Sequence, residues 1–129
     1  MSFIRYIPMI TVMGIIFFLS NQPGDRLDLP DIPDLDKVLH AVAYGVLAFT
    51  VLFAVPENKN RKNPWGVSLL VVMFCLLYGI SDEFHQSFVP NRMPSVMDVI
   101  ADTTGAVVVV FIWFQMKKQE IGAEGKSVQ

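Results

Sequence analysis

Four apolar runs, at residues 3–19, 38–55, 67–80 and 96–113, are separated by short polar connections. Each run, with its flanks, approaches the roughly 20 residues that a helix needs to cross a bilayer core. A chain of 129 residues could not bury four such runs in one small water-soluble core. The pattern predicts an all-α membrane protein with four transmembrane helices, at about 3–20, 36–55, 66–86 and 95–116. They form one domain over residues 1–129, with a polar C-terminal tail from 117. The first run follows Arg5 but leads into "FFLSNQPGD", bulky and polar where a signal peptide needs small residues, so it reads as a retained helix. Pro8 is tolerable in its first turn.

The connections differ in charge. "NQPGDRLDLPDIPDLD" carries Asp25, Asp28, Asp31, Asp34 and Asp36 against Arg26, and its prolines and glycine make it an extended loop. "PENKNRKNP" carries Lys59, Arg61 and Lys62 against Glu57. Lys and Arg concentrate on the cytoplasmic side of membrane proteins. Arg5, the second loop and Lys117–Lys118 all fall on one side if the helices alternate, which predicts an N-in/C-in topology. The start of the second helix, the end of the third and the start of the fourth then share the extracytoplasmic side. Trp65 and Trp113 fit interfacial anchors on the other side.

Most of the unusual polar residues belong to those three outer ends. "DLDKVLHAVAYG" sets Asp36, His40 and Tyr44 on one helical face, with Lys37 one residue round. "YGISDEFHQ" sets Asp82, His85 and Gln86 on one face and turns Glu83 elsewhere. "SVMDVIADTTGA" sets Ser95, Asp98, Asp102 and Gly105 along one face, Gly105 being small enough to let a neighbouring helix approach. Asp102 lies about 10 Å below the start of its helix at 1.5 Å per residue. A lone carboxylate at that depth costs a few kcal/mol, so it must face inward and be paired, metal-bound or protonated.

Composition narrows the chemistry. The residues are 53% hydrophobic with a formal net charge of −2, and no basic tract of the kind that follows nucleic acid is present. The single cysteine, Cys75, lies within an apolar run and reads as a small packed hydrophobe. No GxSxG, Ser-x-x-Lys or Gly-rich phosphate loop is present. The economical catalytic scheme uses His40 or His85 as general base, oriented by Asp82 or Asp98, with Asp102 in the same group. Ser20, Gln22 and Ser81 are accessory groups at the same level. The N-termini of the second and fourth helices favour anions, and Lys37 and Arg92 add positive charge, which suits a phosphate or carboxylate ligand. The carboxylates oppose that unless His, Arg or a metal balances them. No cofactor is predicted; a divalent metal is the minor alternative, since His and Asp can ligate but no HExxH-type spacing occurs.

Each residue also has a purely structural reading. Asp36 serves equally as an N-cap or first-turn anion, Lys37 as a snorkelling cation and Arg92 as a loop cation on lipid phosphates. Tyr44 reads more readily as interhelical packing than as chemistry. The five groups His40, Asp82, His85, Asp98 and Asp102 are more than one interhelical clamp requires.

"SNQPG", "DKVLHAVAYGVLAF", "YGISDEFHQSFVPNR" and "DVIADTTGA" together resemble the VanZ-like family of small bacterial membrane proteins, in order and spacing from about residue 20 to 106. The family's polar positions correspond here to Gln22, Asp36, Lys37, His40, Asp82, Glu83, His85, Gln86, Arg92, Asp98 and Asp102. Members often carry Gly where this chain has Asn91, and a small residue where it has Pro94. The resemblance implies a multi-pass protein of the bacterial cytoplasmic membrane. The family is named for a protein associated with low-level resistance to the glycopeptide teicoplanin. That speaks to architecture more than to activity.

Three functions fit these readings. The first is an enzyme, a hydrolase or transferase, acting on a membrane lipid or lipid-linked envelope precursor at its headgroup. On this scheme His40, Asp82, His85, Asp98 and Asp102 are catalytic, while Gln22, Asp36, Lys37, Glu83, Gln86 and Arg92 bind substrate. The second is a non-catalytic binder of an envelope lipid, a cell-wall precursor or an amphiphilic drug. The third is a structural or assembly subunit whose polar groups clamp helices. The sequence leaves the oligomeric state open.

Overall fold

The computed structural model describes residues 3–23 and 33–127, with side chains through residue 123. Asp25, Arg26, Asp28 and Asp31 of the acidic loop lie outside the described residues. A 3-10 turn, Phe3–Tyr6, leads into α1, Ile7–Ser20. Then come α2, Leu35–Ala54, a short α3, Glu57–Lys62, the long α4, Pro64–Gln86, and α5, Val96–Ser127. Four of these segments are long and apolar enough to cross a membrane: Phe3–Ser20, Leu35–Ala54, Pro64–Gln86 and Val96–Ala123.

Burial is inverted relative to a water-soluble bundle. Phe18, Phe49, Leu69, Phe84 and Phe111 point outward, while Ser20, Asp82, Glu83, Gln86, Asp98 and Asp102 are buried. Such an arrangement suits a hydrocarbon surround, where exposed apolar side chains cost nothing and polar groups must find partners inside. Thr103 and Thr104 return their hydroxyls to Val99 and Ile100 carbonyls one turn back, the usual way to keep a hydroxyl satisfied in an apolar helix.

The most extensive packing is α2 against α5, followed by α4 against α5. Small residues make the first of these possible. A Cβ on Gly105 would fall inside the Ala41 backbone, 2.6 Å from its carbonyl carbon, and Gly45 sits opposite the Gly105 carbonyl. Tyr44, Leu47, Ala48, Val51, Val71, Cys75, Ala106 and Val110 fill the apolar centre. Cys75 is fully buried, as its place in the run predicts. α1 is attached to α4 by the Tyr78 hydroxyl, which donates to the Met13 carbonyl at 2.8 Å.

The helix ends follow local chemistry. Asn63 caps α4 by accepting from the Gly66 N–H at 2.9 Å, with Pro64 in the first turn. Asp34, in the left-handed region at φ 59°, is the N-cap of α2, and Asp36 is its first-turn anion. The connection after α2 is helical where the sequence reads as a plain loop. α3 has Glu57 in its first turn and Lys59, Arg61 and Lys62 in its last, an order matched to the helix dipole. α5 also continues beyond Lys117 to Ser127. Lys117 explains part of this, since it pairs with Glu120 one turn on, at 2.8 Å, and with Glu57 at 2.9 Å. The hydrogen bond from the Lys117 ammonium holds the Glu57 carboxyl below the ordinary carboxylate range.

The α4–α5 turn contains Asn91 at φ 60°. Asparagine tolerates this left-handed conformation, and glycine adopts it freely. Asn91→Ala is expected to lower stability by about 1 kcal/mol, and Asn91→Gly to change it by less than about 0.5 kcal/mol. Thermal unfolding in detergent micelles checks this; equal melting temperatures for the alanine variant and the native chain would refute it.

Candidate functional site

At the end of the bundle formed by the α2 N-terminus, the α4 C-terminus and the α5 N-terminus, the buried polar groups converge. His40 reaches across from α2 and its Nδ1–H donates to Asp102 Oδ1 of α5 at 2.9 Å. Asp102 is fully buried, and its Oδ2 has no hydrogen-bond partner among the described residues. Gly79 makes room for it: a Cβ there would lie 2.9 Å from Asp102 Oδ2 and 3.5 Å from the Tyr44 ring. The small residue on α4 is therefore what lets a carboxylate from α5 and a phenol from α2 occupy the same level. Tyr44, nearly fully buried, also has a hydroxyl without a partner among the described residues.

Asp82 is held from the other side. Its Oδ2 accepts from the Ser20 hydroxyl of α1 at 2.7 Å and from the Gln86 amide at 3.1 Å. Gln86 also donates to Ser20 Oγ at 3.3 Å, closing a three-membered network. The site thus has four walls rather than three, because α1 supplies Ser20 to the polar centre.

Glu83 corrects the sequence reading, which turns it away from the cluster. It is buried and faces α5, accepting from the Ser95 backbone N–H at 2.6 Å through Oε2, while Oε1 has no partner among the described residues. α4 is packed between α1 and α5, so two adjacent residues can each find an interior: Asp82 looks to α1 and Glu83 to α5. His85 is the converse case. Its ring packs on Phe17, with centroids 4.7 Å apart, and its Nε2 lies 3.3 Å from Asn21 Oδ1. It sits at the α1–α4 rim and does not join His40.

The remaining candidates occupy the rim. Lys37 Nζ lies 2.9 Å from Asp36 Oδ2 and 3.7 Å from Asp98 Oδ1. Asp98 is buried and its Oδ1 makes no hydrogen bond among the described residues. Arg92 donates through Nε to the Gln22 carbonyl and through Nη2 to the Leu19 carbonyl, both at 3.2 Å, which pins the α4–α5 turn to the end of α1. The Gln22 side chain returns to the Phe18 carbonyl. Ser81 bonds to the Tyr78 carbonyl at the surface and takes no part.

A cavity of about 290 Å³ opens among these groups. Its lining combines the polar Ser20, Asp36, His40, Asp82, Gln86 and Arg92 with the apolar Ile16, Leu19, Leu39 and Ala43 and the Tyr44 ring. A larger cavity of about 760 Å³ lies at the opposite end, under α3, with Asn58, Lys59, Lys62 and Asn63 among its lining. Its lining among the described residues holds no carboxylate or histidine, so the smaller cavity is the candidate site.

The sequence alone ranks Tyr44 as packing and Ser20 as accessory, and it gives no prominence to Gly79 or Asn21. Ser20 has no periodic signal, standing at the last turn of a uniformly apolar helix. Gly79 is legible only as a small residue close to Asp82.

Fold and site define a small membrane protein with four candidate spans and a buried histidine–carboxylate centre at one end of its bundle. The chain belongs to the VanZ/LLP1 family, whose sequence model matches residues 4–117 and so includes every candidate site residue. No curated protein and no solved structure matches the chain.

Proposed function

We propose that the protein is an enzyme that acts on a lipid or lipid-linked envelope headgroup carrying phosphate, at the extracytoplasmic face of the bacterial cytoplasmic membrane. The observation that carries this reading is the His40–Asp102 pair beside an amphiphilic cavity. Asp102 fixes one ring nitrogen as donor, which leaves the other as a lone pair, the form that either proton transfer or metal ligation requires. Apolar lining residues, Ile16, Leu19, Leu39 and Ala43, suit a lipid chain, and the polar ones, among them His40, Asp82 and Arg92, suit its headgroup. About 290 Å³ is at the low end of the ~300–1,000 Å³ of ligand pockets. That is room for a headgroup and far too little for a glycopeptide antibiotic. Direct capture of teicoplanin is therefore disfavoured, and any effect on susceptibility would follow from altered envelope lipid.

The orientation rests on charge. Arg5 stacks over Phe53 near the end of α2, and Lys117 pairs with Glu57 of α3. Arg5, Lys117 and the basic residues of α3 thus gather at the end opposite the site, against Lys37 and Arg92 at the site's rim. By the positive-inside rule that end is cytoplasmic. Lipid profiling of cells carrying the native chain or His40→Ala tests the function. The expected result is accumulation of one headgroup species in the variant. Identical profiles, with the variant folded and present at native levels, would refute it.

A further inference from the structure

We propose that His40, Glu83 and Asp98 form a binding site for a divalent transition-metal cation of the Zn²⁺ or Mn²⁺ type. One donor atom from each of the three residues lies within 4.8 Å of the other two. Ligands around a tetrahedral ion at ~2.1 Å stand roughly 3.4 Å apart, a spacing that small side-chain rotations reach from here. The three residues come from α2, α4 and α5, so no sequence spacing announces the site.

Unpartnered atoms point the same way. Glu83 is 6% exposed and Asp98 9%, and each retains one oxygen without a hydrogen-bond partner among the described residues. A buried carboxylate oxygen left in this state is costly unless a cation meets it. The Ser95 N–H engages Glu83 through Oε2, which leaves Oε1 as the oxygen in need of a partner. Lys37 is the nearest fixed cation, 3.7 Å from Asp98 Oδ1, but its shorter contact is with Asp36 at the rim. Arg92 uses two of its donors on backbone carbonyls. Among the described residues, Glu83 Oε1 therefore has no donor, and Asp98 Oδ1 has only the Lys37 ammonium at 3.7 Å.

The partner of His40 has the form of a metal site's outer shell. A ligating histidine commonly donates its second ring N–H to a carboxylate, which sets the tautomer and strengthens the ligand. Asp102 stands in that place, at 2.9 Å. One imidazole and two carboxylates are a nitrogen–oxygen donor set suited to Zn²⁺ or Mn²⁺, and three protein ligands leave a position open. The metal site stands on geometry alone. Its use, supplying positive charge to an anionic headgroup, rests on the proposed function.

The test uses the full chain in detergent micelles, stripped with chelator and titrated with ZnCl₂ or MnCl₂. Bound metal and melting temperature are the readouts. The native chain should retain about one cation and melt at higher temperature when loaded. Asp102→Asn should weaken binding about tenfold to a hundredfold, and Glu83→Gln and Asp98→Asn should weaken it at least as much. Glu57→Gln, at the opposite end, should bind as the native chain does. Should Glu83→Gln fail to fold, Asp98→Asn carries the comparison. A native chain that retains no more metal than these ligand variants, with no shift in melting, overturns the proposal. Absence of metal together with an altered lipid profile for His40→Ala would sink this inference alone. Metal binding with an unaltered profile would sink the functional reading alone.

Discussion

Gly105→Ala is expected to destabilise the protein severely, because the added Cβ would overlap the Ala41 backbone, which cannot rotate away as a side chain can. Relief requires α2 and α5, the most closely associated helices, to separate. Overpacking typically costs 1–3 kcal/mol, and because backbone is the obstacle the expected loss is about 3 kcal/mol. Thermal or denaturant unfolding in micelles would read it. A melting temperature unchanged from the native chain would mean that the helices are not in contact at this point.

Asp102→Asn is expected to do the opposite: a small change in stability and a large loss of activity. The amide keeps the shape of the carboxylate and, with its oxygen toward the ring, still accepts from His40 Nδ1–H. Converting a charge-assisted hydrogen bond to a neutral one costs about 1 kcal/mol. The replaced Oδ2 has no hydrogen-bond partner to lose among the described residues. On the proposed function, activity depends on the electron density that the carboxylate lends the imidazole, and should fall on the order of a hundredfold or more. The measurement pairs melting temperature with the lipid profile of cells in which the variant replaces the native chain. Normal folding with a fully native profile would remove Asp102 from the working site. Loss of folding would assign it to a helix clamp.

The four spans are legible in the sequence because a bilayer imposes a length, and runs of that length are visible without knowing any contact. That some helix packs closely on α5 is legible at Gly105, since only a small residue permits such an approach, but that the helix is α2 comes from the fold. The sequence scheme orients the histidine by Asp82 or Asp98, whereas the carboxylate on His40 is Asp102, one turn further along α5 than Asp98. That pairing depends on how α2 and α5 cross. Glu83 is counted in the sequence among the substrate-binding residues, but its facing is misread because a helical wheel of α4 drawn with a single inner face turns it outward. α4 has two buried faces, one against α1 and one against α5, and a single chain does not reveal how many neighbours a helix has. Ser20 is underweighted for the same reason, because its role is set by Asp82, which is distant in sequence. The α3 helix and the continuation of α5 depend on charge order and on the Lys117 contacts, which are too local for hydropathy to register.

The contact between Gly105 and Ala41 also bears on how accurately the His40–Asp102 pair is set. Ala41 follows His40 directly, and Gly105 lies one turn from Asp102 on the same helix. Main chain resting on main chain fixes the distance between the two helices beside the pair. The 2.9 Å from ring nitrogen to carboxylate is thereby gauged by a rigid stop rather than by the reach of flexible side chains. A substitution that lifts this stop by even half a residue's width should loosen the histidine before the bundle comes apart. Activity would then be the more sensitive gauge of helix spacing.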